Sequence, residues 1–311
     1  NKYISYDYAS FSDLQKLDIN DLLMRNINIS LSEIKSKIEN KVILISGAGG
    51  SIGSELCIES INFLPSKIIL LDHSEFNLYR ISEKLKKIRL KRNLNFKIIS
   101  ILSSVKDRDR IMKVFEDYNP EVVYHSAAYK HVSLVDDNMI EAINNNIFGT
   151  LNIIDAAIRF KSQRFVLVST DKAVRPSNIM GASKRFAELL IQAKSNIQES
   201  NDTILSIVRF GNVLGSSGSV IPIFSEQIRE GGPITVRDPN VTRYFMTISE
   251  AAKLILEADR IATGGQVFVL NMGEPIKILD LAKKMIQLSG NKVQEDNKTP
   301  GIAIKFTGLL K

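Results

Sequence analysis

Residues 41–64 read KVILISGAGGSIGSELCIESINFL. KVILIS is a short aliphatic, β-branched run of the kind that forms a buried strand. GAGGSIG is a turn, and SELCIESINFL has the apolar spacing of a helix. Gly47, Gly50 and Gly53 stand between strand and helix. Without side chains they let the backbone turn sharply and approach a pyrophosphate, whose charge then lies at the helix N-terminus beside Ser51 and Ile52. A second strand, SKIILLD (66–72), ends on Asp72, nineteen residues after Gly53. A carboxylate there grips the ribose hydroxyls of adenosine and repels a 2′-phosphate, so NAD is the expected cofactor.

The same alternation continues outward. An amphipathic helix is predicted over 77–91, a third strand in NFKIISIL, a helix in DRDRIMKVFEDYN and a fourth strand in EVVYHSAA. A long helix is predicted around 138–159, a fifth strand in RFVLVST (164–170), a helix from Asn178 to about Ser195 and a sixth strand in TILSIVRFGNV (203–213). Buried strands alternating with helices specify an α/β fold, a doubly wound parallel sheet of Rossmann type. After Asn212 the chain becomes richer in Gly, Pro and Ser, which marks a smaller C-terminal lobe. The expected organisation is an N-terminal arm and helix at 1–40, a dinucleotide-binding domain at 41–212 with a return to the sheet near 266–272, and a substrate-binding lobe over 213–311.

Composition excludes several classes. The 311 residues are 44% hydrophobic and 24% charged, as in ordinary globular proteins. No apolar run reaches the roughly 20 residues needed to span a bilayer. The chain begins at Asn1 without methionine and reads as part of a longer protein, whose other parts include membrane segments or not. The single cysteine, Cys57, sits in the apolar pattern of the first helix and reads as core packing in a reducing, cytoplasmic setting. The net charge of +7 suits an anionic substrate, nucleic acid or an acidic membrane surface. Without lysines interleaved with aromatics, it reads as solvated surface charge, and no nucleic-acid partner is expected. No metal-ligand cluster is predicted.

The G-x-x-G-x-x-G spacing resembles the extended short-chain dehydrogenase/reductase superfamily. HSAAYKHV (125–132), NNNIFGT (144–150), VST (168–170) and Lys184 follow in that superfamily's order. Within it, GAGGSIGSEL, LLDHSEFNLY, STDKAVRPSNIMGASKR, RFGNVLGSSGSVIPIF and TRYFMTI resemble the bacterial nucleotide-sugar 4,6-dehydratases of the polysaccharide-biosynthesis (CapD-like) group. The closest likeness is to UDP-N-acetylglucosamine 4,6-dehydratases that begin bacillosamine-type sugar synthesis for protein glycosylation. The resemblance covers about residues 41–275. It implies oxidation at C4 of the sugar, loss of water across C5 and C6, and return of the same hydride to C6. It also implies that Ala127 and Ala128 cover the cofactor, that Lys184 binds the nicotinamide ribose, and that the protein is a homo-oligomer.

One position departs from the superfamily. Four residues before Lys184, where tyrosine usually handles the alcohol proton, stands Met180, which carries no proton. Asp171 and Lys172 follow the fifth strand directly, and related dehydratases use that pair for elimination. A carboxylic acid protonates the departing 6-hydroxyl, and a lysine with a lowered pKa takes the C5 proton. Asp171 is expected to receive the 4-hydroxyl proton as well, directly or through Thr170 or water. The methionine-type relatives retain the configuration at C5, which is the expected outcome here. For the UDP group, Asn212 and the SSGSVIP loop, with Ser219 and Val220, offer amides and hydroxyls, and Arg243 forks onto the diphosphate. Arg209 and Arg237 are weaker candidates. Tyr129, Lys130 and Asn146 are expected on the sugar side. His125 and His131 read as structural histidines beside the cofactor loop rather than as acid/base groups. Relatives usually continue past FTGL with an Arg-Pro-Gly-Glu-Lys segment, so part of the nucleotide site is expected beyond Lys311. The alternatives are a UDP-sugar 4-epimerase, which needs no elimination pair, and a non-catalytic NAD- or nucleotide-sugar-binding protein.

Overall fold

A computed structural model describes residues 29–198, 203–216, 219–294 and 300–308. The predicted arm at 1–28, and Ser217 and Gly218 of the SSGSVIP loop, lie outside the described residues. The described chain divides into two compact units, one of 29–211 with 248–271 and one of 212–247 with 272–308.

The larger unit is built on a parallel sheet. Its strands are β1 (Val42–Ser46), β2 (Lys67–Asp72), β3 (Lys97–Leu102), β4 (Val122–His125), β5 (Arg164–Thr170), β6 (Ile204–Phe210) and Val267–Val269. Their order is Val267–Val269, β6, β5, β4, β1, β2, β3, and every neighbouring pair is parallel. The sheet is the predicted Rossmann-type one. Helices cover it, so the central strands are largely apolar: Ile43, Leu44 and Ile45 of β1 are fully buried with Val123, Phe165, Leu167 and Ile207. Strand order reverses between β1 and β4, the point where an open α/β sheet parts at its carboxyl edge to admit a ligand. Cys57 is fully buried in the helix Ser51–Ile61, and burial pushes its thiol pKa well up, as suits a core residue.

Four boundaries differ from the sequence reading, the first being that the sixth strand ends at Phe210 and Asn212–Val213 forms a separate strand. β4 stops at His125 rather than Ala128, and this frees Ser126–Lys130 to form a loop. The helix predicted around 138–159 is Met139–Ile143 and Gly149–Arg159 joined by a π-helical turn, Asn144–Phe148. The return to the sheet begins earlier than 266: the helix Ile248–Ile261 already belongs to the larger unit and packs on Ser51–Ile61. Its Asp259, buried with Arg164 of β5 at 2.7 Å and Tyr124 of β4 at 2.9 Å, ties it to the sheet. The helix Leu31–Ile38 also docks there through buried Ile34 and Ile38.

The smaller unit has its own core, with Phe224, Ile234, Val236, Phe245, Leu281 and Ile286 buried. Its short strands pair Asn212–Val213 with Phe245–Met246, Ile234–Val236 with Ile304–Phe306, and Thr242–Arg243 with Ile276–Lys277.

Candidate active site

The glycine turn after β1 is shaped by contacts that leave no room for side chains. Gly47 has φ +70°, and a Cβ there would stand 2.7 Å from the backbone N of Ala127. A Cβ on Gly53 would lie 2.0 Å from the Gly47 carbonyl oxygen. Asp72, at the end of β2, is 5% exposed. Its Oδ2 accepts from the Gly49 amide at 2.8 Å and its Oδ1 from the Ser74 amide at 2.9 Å. The carboxylate thus braces the turn and keeps further lone pairs for a ribose. The helix start at Gly50, Ser51 and Ile52, which has no side-chain cap at Gly50, the strand-end carboxylate and the narrow turn together fit a dinucleotide pyrophosphate. Ala127 and Ala128 follow β4 beside this turn and are half-buried.

At the end of β5 lie the expected chemical groups. The Thr170 hydroxyl donates to Asp171 Oδ1 at 2.9 Å, and Lys172 Nζ donates to the same oxygen at 3.1 Å. The Asp171 and Lys172 side chains are 50% and 39% exposed, so both reach solvent. Asn178 caps the next helix, Ile179–Ile197, its Oδ1 accepting from the Gly181 amide at 2.8 Å. Met180, in the first turn, is 3% exposed and packs with Val135, Ala142, Tyr129, Val132 and Ile179. One turn on, Lys184 is buried and donates to the Val168 carbonyl at 2.8 Å. Burial lowers its pKa to about 8 against the opposing charge of Glu188. Lys130, from the loop after β4, also has its ammonium pKa lowered, first by desolvation and then by the like charge of Lys172.

Two candidates turn out to be structural. Asn146, expected on the sugar side, is 1% exposed in the π turn. Its Oδ1 accepts from the Tyr129 amide at 2.8 Å, and its Nδ2 donates to the Tyr129 carbonyl and the Ser183 hydroxyl, each at 3.0 Å. Both amide donors are used, so Asn146 clamps the Tyr129–Lys130 loop to the helix of Met180 and Lys184 and has no donor left for a sugar. Arg209, a weaker candidate for the diphosphate than Arg243, donates from Nε to Glu188 at 2.7 Å and from Nη2 to its other oxygen. Glu188 is fully buried and also accepts from Ser169 at 2.6 Å. Leaving a buried carboxylate unpaired is costly, and Arg209 is committed to that pairing.

His125 is fully buried, as expected for a structural histidine, whereas His131 is exposed. Thr150 spends its hydroxyl hydrogen on the Asn146 carbonyl at 2.7 Å. Toward His125 Nε2, 2.9 Å away, Thr150 therefore only accepts, which puts the ring hydrogen on Nε2. Nδ1 then accepts from Ser46 at 2.6 Å. The ring is neutral, and burial, with the charge of Lys184, lowers its pKa to about 3. Sequence reading passed over Ser46, Ser183 and Glu188, and took Thr150 only as the end of the NNNIFGT motif. The only hint was spacing: Glu188 lies one turn after Lys184, and Thr150 one turn after Asn146.

In the smaller unit, Arg243 is exposed on the strand Thr242–Arg243 and donates to the Thr242 carbonyl at 2.7 Å. Arg237 is exposed. Ser219 and Val220 begin the helix Val220–Arg229, and the Ser219 hydroxyl is buried without a hydrogen-bond partner among the described residues. Asn212 holds the short strand pair through its amide on the Tyr244 carbonyl at 3.2 Å. Among the described residues no cluster of His, Cys, Asp or Glu is arranged to hold a metal ion.

Residues 43–311 match the family model described as polysaccharide biosynthesis protein. The chain belongs to that family. It is 48% identical over 299 residues to the capsular polysaccharide biosynthesis protein CapD of Staphylococcus aureus, a match that covers 96% of this chain and 48% of CapD. The chain thus spans about half the length of this relative. It is 35% identical over 249 residues to a protein named UDP-glucose 4-epimerase from Rickettsia rickettsii, with 80% of this chain and 70% of that protein covered. Among solved structures, Pen from Bacillus thuringiensis superposes with a TM-score of 0.77 at 36% identity, covering 88% of this chain and 81% of that one. WbmF from Bordetella bronchiseptica, in complex with NAD+ and UDP, shares the fold at a TM-score of 0.69 and 19% identity, over 89% of this chain and 82% of that one. No helix among the described residues is long and apolar enough to cross a membrane.

Proposed function

We propose that the chain is an NAD-dependent nucleotide-sugar 4,6-dehydratase that converts UDP-N-acetylglucosamine to the 4-keto-6-deoxy sugar, with retention at C5. The observation that carries this reading is the Thr170–Asp171–Lys172 cluster at the tip of β5, joined through one carboxylate oxygen and open to solvent, beside a helix whose proton position is a buried methionine. An oxidation without elimination would need a base such as Asp171 but has no use for Lys172 beside it, because no C5 proton is then removed. The glycine turn and Asp72 favour NAD, with the Lys184 ammonium against the nicotinamide ribose. When bound, NAD supplies the acceptor for the C4 hydride and its donor at C6.

The chain's own groups handle the protons. Asp171 takes the 4-hydroxyl proton, directly or through Thr170, whose hydroxyl is already bonded to it. Asp171 then holds the acid needed to protonate the departing 6-hydroxyl. Lys172 removes the C5 proton, made acidic by the ketone at C4, and returns it to the same face of C5 when hydride reaches C6, which gives retention. Water leaves and no net oxidation occurs. Lys130 lies on the sugar side. Arg243 holds the diphosphate, with Asn212, Ser219 and Val220 on the nucleotide. Membership of a polysaccharide-biosynthesis family supports a role for the product in polysaccharide synthesis.

Incubation with UDP-N-acetylglucosamine should give a product one water lighter, with the alkaline absorbance of a 4-ketone. Deuterium placed at C4 should reappear at C6. The epimerase name of the Rickettsia relative favours a second reading. It predicts a product of unchanged mass, and finding that with no deuterium at C6 would replace the dehydratase reading.

A further inference from the structure

The positive charge of this chain is concentrated in one segment. Between Glu75 and Lys97 stand eight Lys or Arg and two Glu, nearly the whole of the net +7 of the 311 residues. The structure makes most of this segment a single helix, Glu75–Lys91, whose inner face buries Leu78, Ile81 and Leu85 against β2 and β3. The outer face is exposed and carries two adjacent stripes. Arg80, Lys84, Lys87 and Lys91 follow at steps of four, three and four, so all four project from one side. Next to them run Tyr79 and Leu90, 65% and 76% exposed, with Glu83 and Lys86 between them paired at 2.8 Å. Phe76, 67% exposed, heads the basic stripe, with the Arg80 guanidinium over its ring at 5.5 Å.

We infer that this helix face binds the surface of an anionic phospholipid bilayer. Solvated lysines alone explain the basic stripe. They do not explain three large apolar side chains left in water on the same outward surface of a seventeen-residue helix whose opposite face already anchors it to the sheet. A row of cations beside Phe, Tyr and Leu is the arrangement that lies in a bilayer interface, the rings and leucine among the acyl carbonyls and the ammonium groups at the phosphates. Nucleic acid would meet the cations equally well, but it offers no apolar layer for Leu90. The helix lies outside the proposed acid–base groups at the end of β5, so the inference is independent of the assigned reaction.

Co-sedimentation of the whole chain with sucrose-loaded vesicles tests it. The protein should pellet with phosphatidylcholine vesicles containing phosphatidylglycerol, stay in solution with phosphatidylcholine alone, and be released as salt is raised. The combined variant Lys84→Glu, Lys87→Glu, Lys91→Glu should weaken binding by on the order of a hundredfold, at about fivefold for each basic residue lost and more for each reversed. Phe76→Ser with Tyr79→Ser should weaken it about tenfold while leaving the salt dependence in place. All these positions are exposed, and the salt titration uses the unaltered protein, so the outcome does not hinge on a variant's folding. Equal pelleting with neutral vesicles, or full binding by the charge-reversed variant, would overturn the inference. So would tighter binding to duplex DNA than to the anionic vesicles at equal salt, unchanged by the serine substitutions, which would assign the face to nucleic acid.

Discussion

Two places at the carboxyl edge of one parallel sheet are built in opposite ways. The turn after β1 is made of backbone: glycines, a strand-end carboxylate holding two amides, and clearances of 2.0–2.8 Å at Gly47 and Gly53 that admit no added carbon. The tip of β5 is made of side chains: a hydroxyl, a carboxylate and an ammonium bonded to one another, the last two half open to solvent. The first is a fixed shape, proposed to receive the pyrophosphate of the dinucleotide. The second is a mobile set of protons at the surface of a rigid strand. Shape of the first kind tolerates almost no substitution yet performs no chemistry. Chemistry of the second kind tolerates changes of shape but none of proton capacity.

The hardest blow to that contrast is Asp171→Asn. The amide preserves size and accepts from Thr170, but it neither takes nor gives a proton. Turnover should fall by at least about a thousandfold, as general acid and base functions are both removed. Reduction of the dinucleotide in a single turnover should vanish as well, because the same group takes the first proton. A stoichiometric burst of NADH absorbance from the variant would show that another residue takes the 4-hydroxyl proton. Gly53→Ala tests the other site. Its methyl would press on the Gly47 carbonyl, the turn must open, and dinucleotide affinity measured by fluorescence quenching should drop about a hundredfold. Unchanged affinity would mean that the turn is not the pyrophosphate cradle.

These two sites were unequally legible in the sequence. The glycine turn announces itself, because close backbone approach leaves a residue type as its trace, and Asp72 falls at a fixed distance beyond it. The sheet followed from the same periodicity. The Asp171–Lys172 pair was found through resemblance to known dehydratases, since an adjacent acid and base by themselves describe many solvated surfaces. Asn146 and Arg209 were misplaced for one reason: a polar residue near a site has the same letter whether it faces the ligand or is sealed behind it. Only the buried bonds of Asn146 to Tyr129 and Ser183, and of Arg209 to Glu188, reveal the sealed case. The π turn at Asn144–Phe148, which aims Asn146 inward, left no periodic trace in a segment read as one helix.

A third measurement weighs the framework between the two sites. His125 joins β4 to Ser46 of β1 and to Thr150, and it is neutral in the fold. Its folded pKa of about 3 lies below the ordinary 6.5, so the unfolded chain binds the proton more readily. Stability is then complete above about pH 6.5 and is lost as the pH falls toward 3, by up to about 4 kcal/mol for this group. Thermal unfolding followed between pH 7.5 and pH 4 should show that loss. His125→Gln should be less stable at neutral pH by about 2 kcal/mol, with two hydroxyls left poorly paired, but should decline less steeply in acid. Parallel declines would mean that carboxylates elsewhere, and not this ring, carry the acid sensitivity.

The gentlest test is also the sharpest for the chemistry. Met180→Tyr restores the phenol that alcohol-oxidising relatives place four residues before the lysine. The site is 3% exposed and closed by Val135 and Ala142, so the larger ring must displace its neighbours, costing about 1–3 kcal/mol of stability. If Asp171 owns the proton, the new phenol is redundant: turnover should change by only about fivefold, and the double variant with Asp171→Asn should stay inactive. If the phenol instead rescues that double variant's first half-reaction, then the methionine is the reason the acid moved to the strand tip. The two positions would then be alternative solutions to one proton transfer. A dependence of that kind, read from the coupling of two single changes, separates a group that does chemistry from one that merely stands near it.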